Sequence, residues 1–373
     1  MGQKKDKDLY KEERMVRSTK FTLKFLTKKK RELLERVFEF WRFYLQKTID
    51  LMWEGKIPVR RFISSAKIDW MDNLGGNYKS MIYKQASEIV RSTKKKKGSK
   101  PLVKNLTIAF DENAAEVKSF PSSFDKWIKI RLPFVKEGCK RKRQELMIPT
   151  KEHKHSLKFK DWNLRKTVMI NLDKNWVELL YEKETPKPKQ EGKVLGIDLG
   201  YKNLITTSEP RFIGKDTIKL YEKLARKKQG SKAFKKTLKE RNNKINEAIN
   251  KELDLSDVKT LKVEDLKNLK KNIKRKLPRK FNNKYQYFVY RRVLEKLERK
   301  CEQEAVRLLR IPPAYSSMTC PVCHFRDKNN RNDEKFRCLR CGYENHADVV
   351  GAMNIASWEP KVPNAGKENF SQP

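Results

Sequence analysis

Residues Val194–Thr207 read VLGIDLGYKNLITT. An apolar run carries one acidic side chain, Asp198, in its middle, turns at Gly200 and resumes as a second apolar segment, Leu204–Thr207. The pattern predicts a β-hairpin whose first strand is central and buried. A carboxylate on such a strand costs several kcal/mol unless something pairs with it, and a divalent cation is the usual partner. Standing alone, Asp198 would be read more simply as a cap of the local turn. The rest of the chain decides otherwise.

Downstream come long basic helices, roughly 215–250, and then LDLSDVKTLKVEDLKNLK, an apolar strand ending on the acidic pair Glu264–Asp265. Of that pair Glu264 is favoured, and Asp265 would point to the opposite face of a strand. LKKNIKRKLPRKFNNK reads as a basic loop, Tyr285–Leu309 as one long amphipathic helix, and IPPAYSSMT leads into the cysteines. These are Cys320-Pro-Val-Cys323 and, after fourteen intervening residues, Cys338-Leu-Arg-Cys341. Two knuckles at that spacing predict a closed four-thiolate zinc site of structural type. His324 and His346 lie close by, but four thiolates make them redundant as ligands. In GYENHADVVGAMNIASW, Asp348 opens a helix with Val350, Ala352, Met353 and Ile355 along its apolar face. Asp198, Glu264 and Asp348 thus sit on three separate elements. Such a trio can hold two Mg²⁺ ions for phosphodiester hydrolysis, one ion activating water and the other stabilising the leaving oxygen.

Upstream, TPKPKQEGK (185–193) is a Pro/Lys/Gly linker and the clearest boundary in the chain. Before it, LTIAFD, DKWIKIRLPF, SLKFKDW, KTVMINL and NWVELLYEKE alternate as short strands, an antiparallel β-domain or barrel. Phe21, Leu23 and Phe25 form an earlier half-buried strand of the same domain, so the helices between 30 and 95 are an insertion. The first of these carries Leu34, Val37, Phe38, Trp41, Tyr44 and Leu45 at helical spacing, a bundle core, and Gly55 ends it; the second spans about Tyr78–Val90. It leads into the Lys-rich loop STKKKKGSKP. His153 and His155 look like a metal pair but lack further ligands on one exposed strand. Residues 1–15 are charged and read as mobile.

The chain has 373 residues, 89 Lys plus Arg against 47 Asp plus Glu, and a net charge of +42. That excess, interleaved with aromatics, predicts a polyanionic partner along extended channels and argues against a small-substrate enzyme. No apolar run of 18 residues, secretory signal or lipidation motif is present, so no membrane role is expected and the cytosol is the expected compartment. Of six cysteines, Cys139 and Cys301 stand alone as packing residues.

GIDLGYKNLITT, VKTLKVEDL and PAYSSMTCPVC…CLRCGYENHADVVGAMNIA resemble the split RuvC-like nuclease of the TnpB (OrfB) family of insertion-sequence-encoded RNA-guided nucleases, close to the miniature type V CRISPR effectors. The resemblance covers about 191–357 by motif and 15–190 by architecture and length. It places Asp198, Glu264 and Asp348 at the catalytic positions; HADVVGAMNIA departs from the usual Asp-Arg-Asp-x-Asn-Ala-Ala, with His346 at the first acidic position and Val350 and Gly351 also different. It implies a multidomain α/β architecture: an RNase H-like domain with an inserted four-Cys zinc ribbon, preceded by a β-barrel wedge domain with a helical recognition insertion. The expected layout is tail and first wedge strand (1–28), helical recognition insertion (29–100), wedge barrel (101–184), linker (185–193), first nuclease part (194–315), zinc ribbon (316–345), and last nuclease part with C-terminal tail (346–373). It further implies a monomeric ribonucleoprotein of the prokaryotic cytosol that holds a guide RNA, cuts double-stranded target DNA beside a short motif with two catalytic Mg²⁺, and keeps one structural Zn²⁺. A CRISPR effector of the same ancestry, a non-cleaving guided repressor and a cut-and-paste transposase are the alternatives.

Overall fold

The computed structural model describes residues 14–60, 63–71, 74–135, 143–265, 287–312 and 317–359. The basic loop expected at 269–284, Cys139, most of the charged N-terminal stretch and the C-terminal tail from 360 fall outside these residues. The chain divides into two compact units, 1–184 and 185–373.

In the first unit β1 (Arg14–Thr22) leads to α1 (Lys28–Trp53) and α2 (Gly76–Lys95). Then follow β2 (Ile108–Phe110), β3 (Ala115–Lys118), β4 (Lys126–Val135), β5 (Arg143–Thr150), β6 (Asn163–Asn171) and β7 (Trp176–Glu184). The early strand begins at Arg14 and stops at Thr22, so Leu23 and Phe25 lie beyond it. It pairs with β7 along its whole length, which makes the two helices an insertion within the β-domain. The Thr27 hydroxyl caps α1 by accepting from the Lys30 amide, and Gly55, at φ +76°, supplies the left-handed residue past its end. Leu34, Val37, Phe38, Trp41 and Leu45 are buried, while Tyr44 is half-buried; Trp41 Nε1 donates to Gln85 Oε1 of α2 at 2.8 Å. The aromatic stripe is therefore core. Among the described residues the strands form two sheets, β1-β7-β6-β2 and β3-β4-β5, over one shared apolar core, in place of a single barrel sheet. His153 and His155 follow β5 in a turn, off any strand, with rings stacked 6.3 Å apart and His153 Nε2 3.0 Å from the Lys20 carbonyl oxygen.

The second unit runs β8 (Lys193–Asp198), β9 (Ile205–Thr207), β10 (Phe212–Ile213), α3 (Thr217–Ala225), α4 (Lys232–Lys251), β11 (Val258–Glu264), α5 (Tyr290–Gln303) and β12 (Arg307–Ile311). A small antiparallel sheet of β13 (Arg331–Asn332), β14 (Lys335–Arg337) and β15 (Glu344–His346) passes directly into α6 (Ala347–Ser357). The main sheet has the order β10-β9-β8-β11-β12. Its β10, β9 and β8 are antiparallel neighbours, and β8, β11 and β12 run parallel. Val194–Thr207 is thus the expected hairpin, with β8 at the centre of the sheet.

The expected helix over 285–309 ends at Gln303, and Arg307–Ile311 is a strand paired with Thr260–Glu264. The break is a left-handed closure. Ala305 sits at φ +57°, and the Val306 amide donates to the Cys301 carbonyl at 2.9 Å. The linker is also strapped down: Lys189 donates its amide to Ala305 O at 2.8 Å and its Nζ to the carbonyls of Leu255 and Ser256. No helix among the described residues is long and apolar enough to cross a membrane.

Candidate active site and metal centre

Side chains alternate across a strand, so Gly196 and Asp198 of β8 share one face. Gly196 lies beside Lys262, and Ile197 beside Val263. Glu264 therefore emerges beside Asp198 on that same face, at the carboxyl ends of neighbouring parallel strands, where open α/β sheets hold ligands. Helix α6 covers this face. A Cβ on Gly196 would stand 2.1 Å from Ala352 O and 2.5 Å from Ala356 N, so the glycine lets the helix backbone touch the strand. Lys262, only 9% exposed, donates Nζ to Ala356 O at 2.7 Å and Trp358 O at 2.6 Å, capping the helix end with a cation that suits its negative pole.

The opposite end of α6 points at the acids. His346 Nδ1 accepts from the Asp348 amide at 3.2 Å, so this histidine is the helix cap and not a ligand; its ring packs on Phe212 at 4.8 Å. Asp348 occupies the first turn, where a carboxylate is favoured by the helix dipole. One turn on, a Cβ at Gly351 would lie 3.5 Å from Asp198 Oδ2. The apolar face differs from expectation: Val349 is buried and Met353 half-buried, because α6 has sheet on one side and ribbon on the other.

The three acids meet electrostatically. Burial, and then the charges of Glu264 and Asp348, push the Asp198 carboxyl up to about 7, with Arg331 acting in the other direction. Arg331, on β13, donates to Asp348 Oδ1 at 3.2 Å. The Tyr290 hydroxyl anchors Glu264 through its carbonyl at 2.5 Å. Sequence reasoning missed Arg331 and Lys262, for which a chain this rich in cations offers no signal. Hard oxygen donors whose charges repel one another in a buried setting are the kind of set a divalent cation can relieve.

Cys320, Cys323, Cys338 and Cys341 place their sulfurs within 4.8 Å of one another. Cys320–Cys341 and Cys323–Cys338 are 3.6 and 3.5 Å apart, close to the roughly 3.8 Å edge of a tetrahedron with ~2.3 Å Zn–S bonds. The set fits one structural Zn²⁺. His324, in a left-handed turn at φ +58°, lies outside it. Phe336, Ala347 and Val350 pack against Cys320 and Cys338, joining the ribbon to α6. Cys301 is a buried core thiol, pushed up to about 12 by burial.

The second unit thus combines a five-stranded mixed sheet, carboxylates at the ends of two neighbouring parallel strands, and a four-Cys metal-binding cluster ahead of α6. The Cas12f1-like TNB domain family model matches residues 290–355. Over 109 residues the chain is 33% identical to a CRISPR-associated endodeoxyribonuclease Cas12f1 of Sulfoacidibacillus thermotolerans, covering 29% of this chain and 23% of that one. Over 50 residues it is 46% identical to a putative RNA-guided DNA endonuclease InsQ of Escherichia coli K12, 13% and 12% of the two chains. An uncultured archaeon's Cas12f1 matches at 26% over 119 residues, 30% and 21% of the chains. The matched stretches therefore span under a quarter of these relatives' own lengths. In fold, the chain is similar to Cas12f1 solved with sgRNA and target DNA: TM-score 0.56 at 17% identity, over 87% of this chain and 81% of that one.

Proposed function

We propose that this protein is an RNA-guided DNA endonuclease whose Asp198, Glu264 and Asp348 hold two Mg²⁺ ions at a RuvC-like site. The observation that carries the reading is the convergence of Asp198 and Glu264 at adjacent strand ends under the helix bearing Asp348. When bound, the ions supply an activated water and a stabilised leaving oxygen in an in-line displacement. The chain's own residues do the rest. Asp198 must shed its proton to serve as a ligand; Lys262 and Gly196 fix α6 so that Asp348 faces the strands. Arg331 balances the negative charge and can reach toward a phosphate oxygen, a planar donor suited to phosphate.

The guided part of the proposal rests on the similarity to Cas12f1 and InsQ relatives and on the charge of +42. Residues 1–184 are read as the wedge with its helical recognition insertion, holding guide RNA and reading the motif beside the target, while base pairing reads sequence. The test is reconstitution with RNA transcribed from the gene's flank and a matching duplex. RNA-programmed cutting that needs Mg²⁺ and vanishes in Asp348→Asn is the expected result. Binding without cutting by the native protein would point to a repressor, and RNA-independent strand transfer to a transposase.

A further inference from the structure

Where the chain enters α1, three aromatic rings form a run on the surface of the first unit. Phe25 packs edge-on to Phe124 at 5.3 Å, and Phe124 edge-on to Trp127 at 5.5 Å. All three are only half-buried, and Phe120, in the loop just before Phe124 and Trp127, is 47% exposed. Trp127 lies on the face of β4 opposite the buried Ile128 and Ile130, so it contributes little to the core. Each ring has a lysine above it: Lys24 over Phe25 at 4.9 Å, Lys151 over Phe124 at 5.7 Å, and Lys30 over Trp127 at 5.4 Å.

The remaining charges sharpen the pattern. Lys30 is steadied by donating to Met147 O at 2.8 Å. The nearby acids are occupied, Glu152 by Lys126 and Asp125 by the Glu152 amide. Lys28, Lys29 and Lys30 fill the first turn of α1, which contains no acid. Cations at a helix N-terminus oppose the helix dipole, an arrangement an anionic partner relieves. Flat apolar faces for bases, interleaved with ammonium groups for phosphates, are the chemistry of single-strand recognition.

We propose that Phe25, Phe124 and Trp127, with Lys24, Lys30 and Lys151, form a stacking platform for unpaired nucleotides of a bound RNA. The choice of RNA over DNA rests on the guided reading above, in which RNA is the resident strand. The rings accept successive bases, Lys24 and Lys151 swing from ring faces to the backbone phosphates, and Lys30 stays fixed at the Met147 carbonyl as a standing positive charge beside Trp127.

The test uses full-length protein stripped of nucleic acid, with labelled oligouridine, oligothymidine and an RNA duplex as probes. The double variant Phe124→Leu/Trp127→Leu keeps apolar bulk but removes the rings. It is expected to weaken oligouridine binding by about tenfold or more with an unchanged salt slope, and to leave duplex binding alone. Lys24→Gln/Lys151→Gln should instead flatten the slope by about 0.7 for each phosphate left without its lysine. Phe25→Leu serves as the ring variant should the double variant melt early. Unchanged oligouridine affinity, or an equal loss for the duplex, overturns the platform; ring-dependent preference for oligothymidine overturns the assignment to RNA. Ring-dependent RNA binding without any RNA-programmed cutting would sink the guided reading and leave the platform. Programmed cutting with normal binding by the ring variants would do the reverse.

Discussion

Asp198 is where burial and function pull hardest against each other. An ordinary Asp ionises near 3.9, and here burial beside Glu264 and Asp348 lifts the carboxyl to about 7. Because the folded value is raised, the metal-free fold loses stability as pH climbs from about 4 through 7, on the order of 4 kcal/mol in total. Metal-free melting temperatures should therefore fall over that window, and Asp198→Asn should flatten the fall while abolishing cleavage. Mg²⁺ should raise the melting temperature more at pH 8 than at pH 6, since ligation needs the carboxylate. An Asn variant with the same pH dependence as the native protein would remove Asp198 from this role. Lys262 poses a different test. Lys262→Met leaves two helix-end carbonyls without their donor, at a cost of about 1–3 kcal/mol. It should lower the melting temperature by several degrees and raise the Mg²⁺ concentration needed for half-maximal cleavage; an unchanged Mg²⁺ requirement would make Lys262 purely structural. The three acids stood out in the sequence because Asp198 interrupts an apolar run, Glu264 ends one and Asp348 opens one, and the structure puts Asp198 and Glu264 at the ends of neighbouring strands. Lys262 and Arg331 were not, since among 89 basic residues only the partner distinguishes one cation from another.

At the scale of elements, the ribbon does more than bind a metal. Its sheet carries Arg331 to Asp348, and Lys202 of the β8–β9 loop is tied to Asp333 and Glu334 at 3.2 and 2.8 Å. Because β15 passes without a break into α6, the thiolate cluster also sets where Asp348 begins its helix. Cys338→Ser should thus reduce zinc content, lower the second unit's melting temperature and impair cleavage together. Arg331→Gln should impair cleavage, by about a hundredfold, with zinc and stability retained. Loss of zinc with full activity would sever that link. The cysteine spacing made the ribbon readable, and acid-tipped apolar runs made β8 and β11 readable. The RLLRI strand was hidden because Leu-rich segments suit either structure; a left-handed Ala305 and pairing along β11 decided it. The two-sheet arrangement of the first unit was likewise beyond the sequence, as alternation marks strands but not how they partition between sheets.

Across the whole molecule, the net charge of +42 is itself a constraint. Like charges on a compact chain repel one another, and the repulsion is relieved by screening or by a polyanion. An enzyme of small substrates gains nothing from carrying that load. A protein that spends its working life wrapped in nucleic acid does, because each neutralised phosphate releases counterions and adds to affinity. Two consequences follow for the free protein. Its melting temperature should rise with added salt up to several hundred millimolar, the reverse of a fold held by surface ion pairs. A structured RNA from the gene's own flank should raise it further at low salt, and the same RNA should lose affinity steeply as salt increases. A generic polyanion such as heparin separates charge from recognition. If heparin stabilises as much as the flanking RNA at equal charge, only electrostatics is at work and the guided reading loses its support. If the RNA stabilises by several degrees more, it makes contacts that charge alone does not provide, and the recognition role proposed for residues 1–184 gains the evidence it needs.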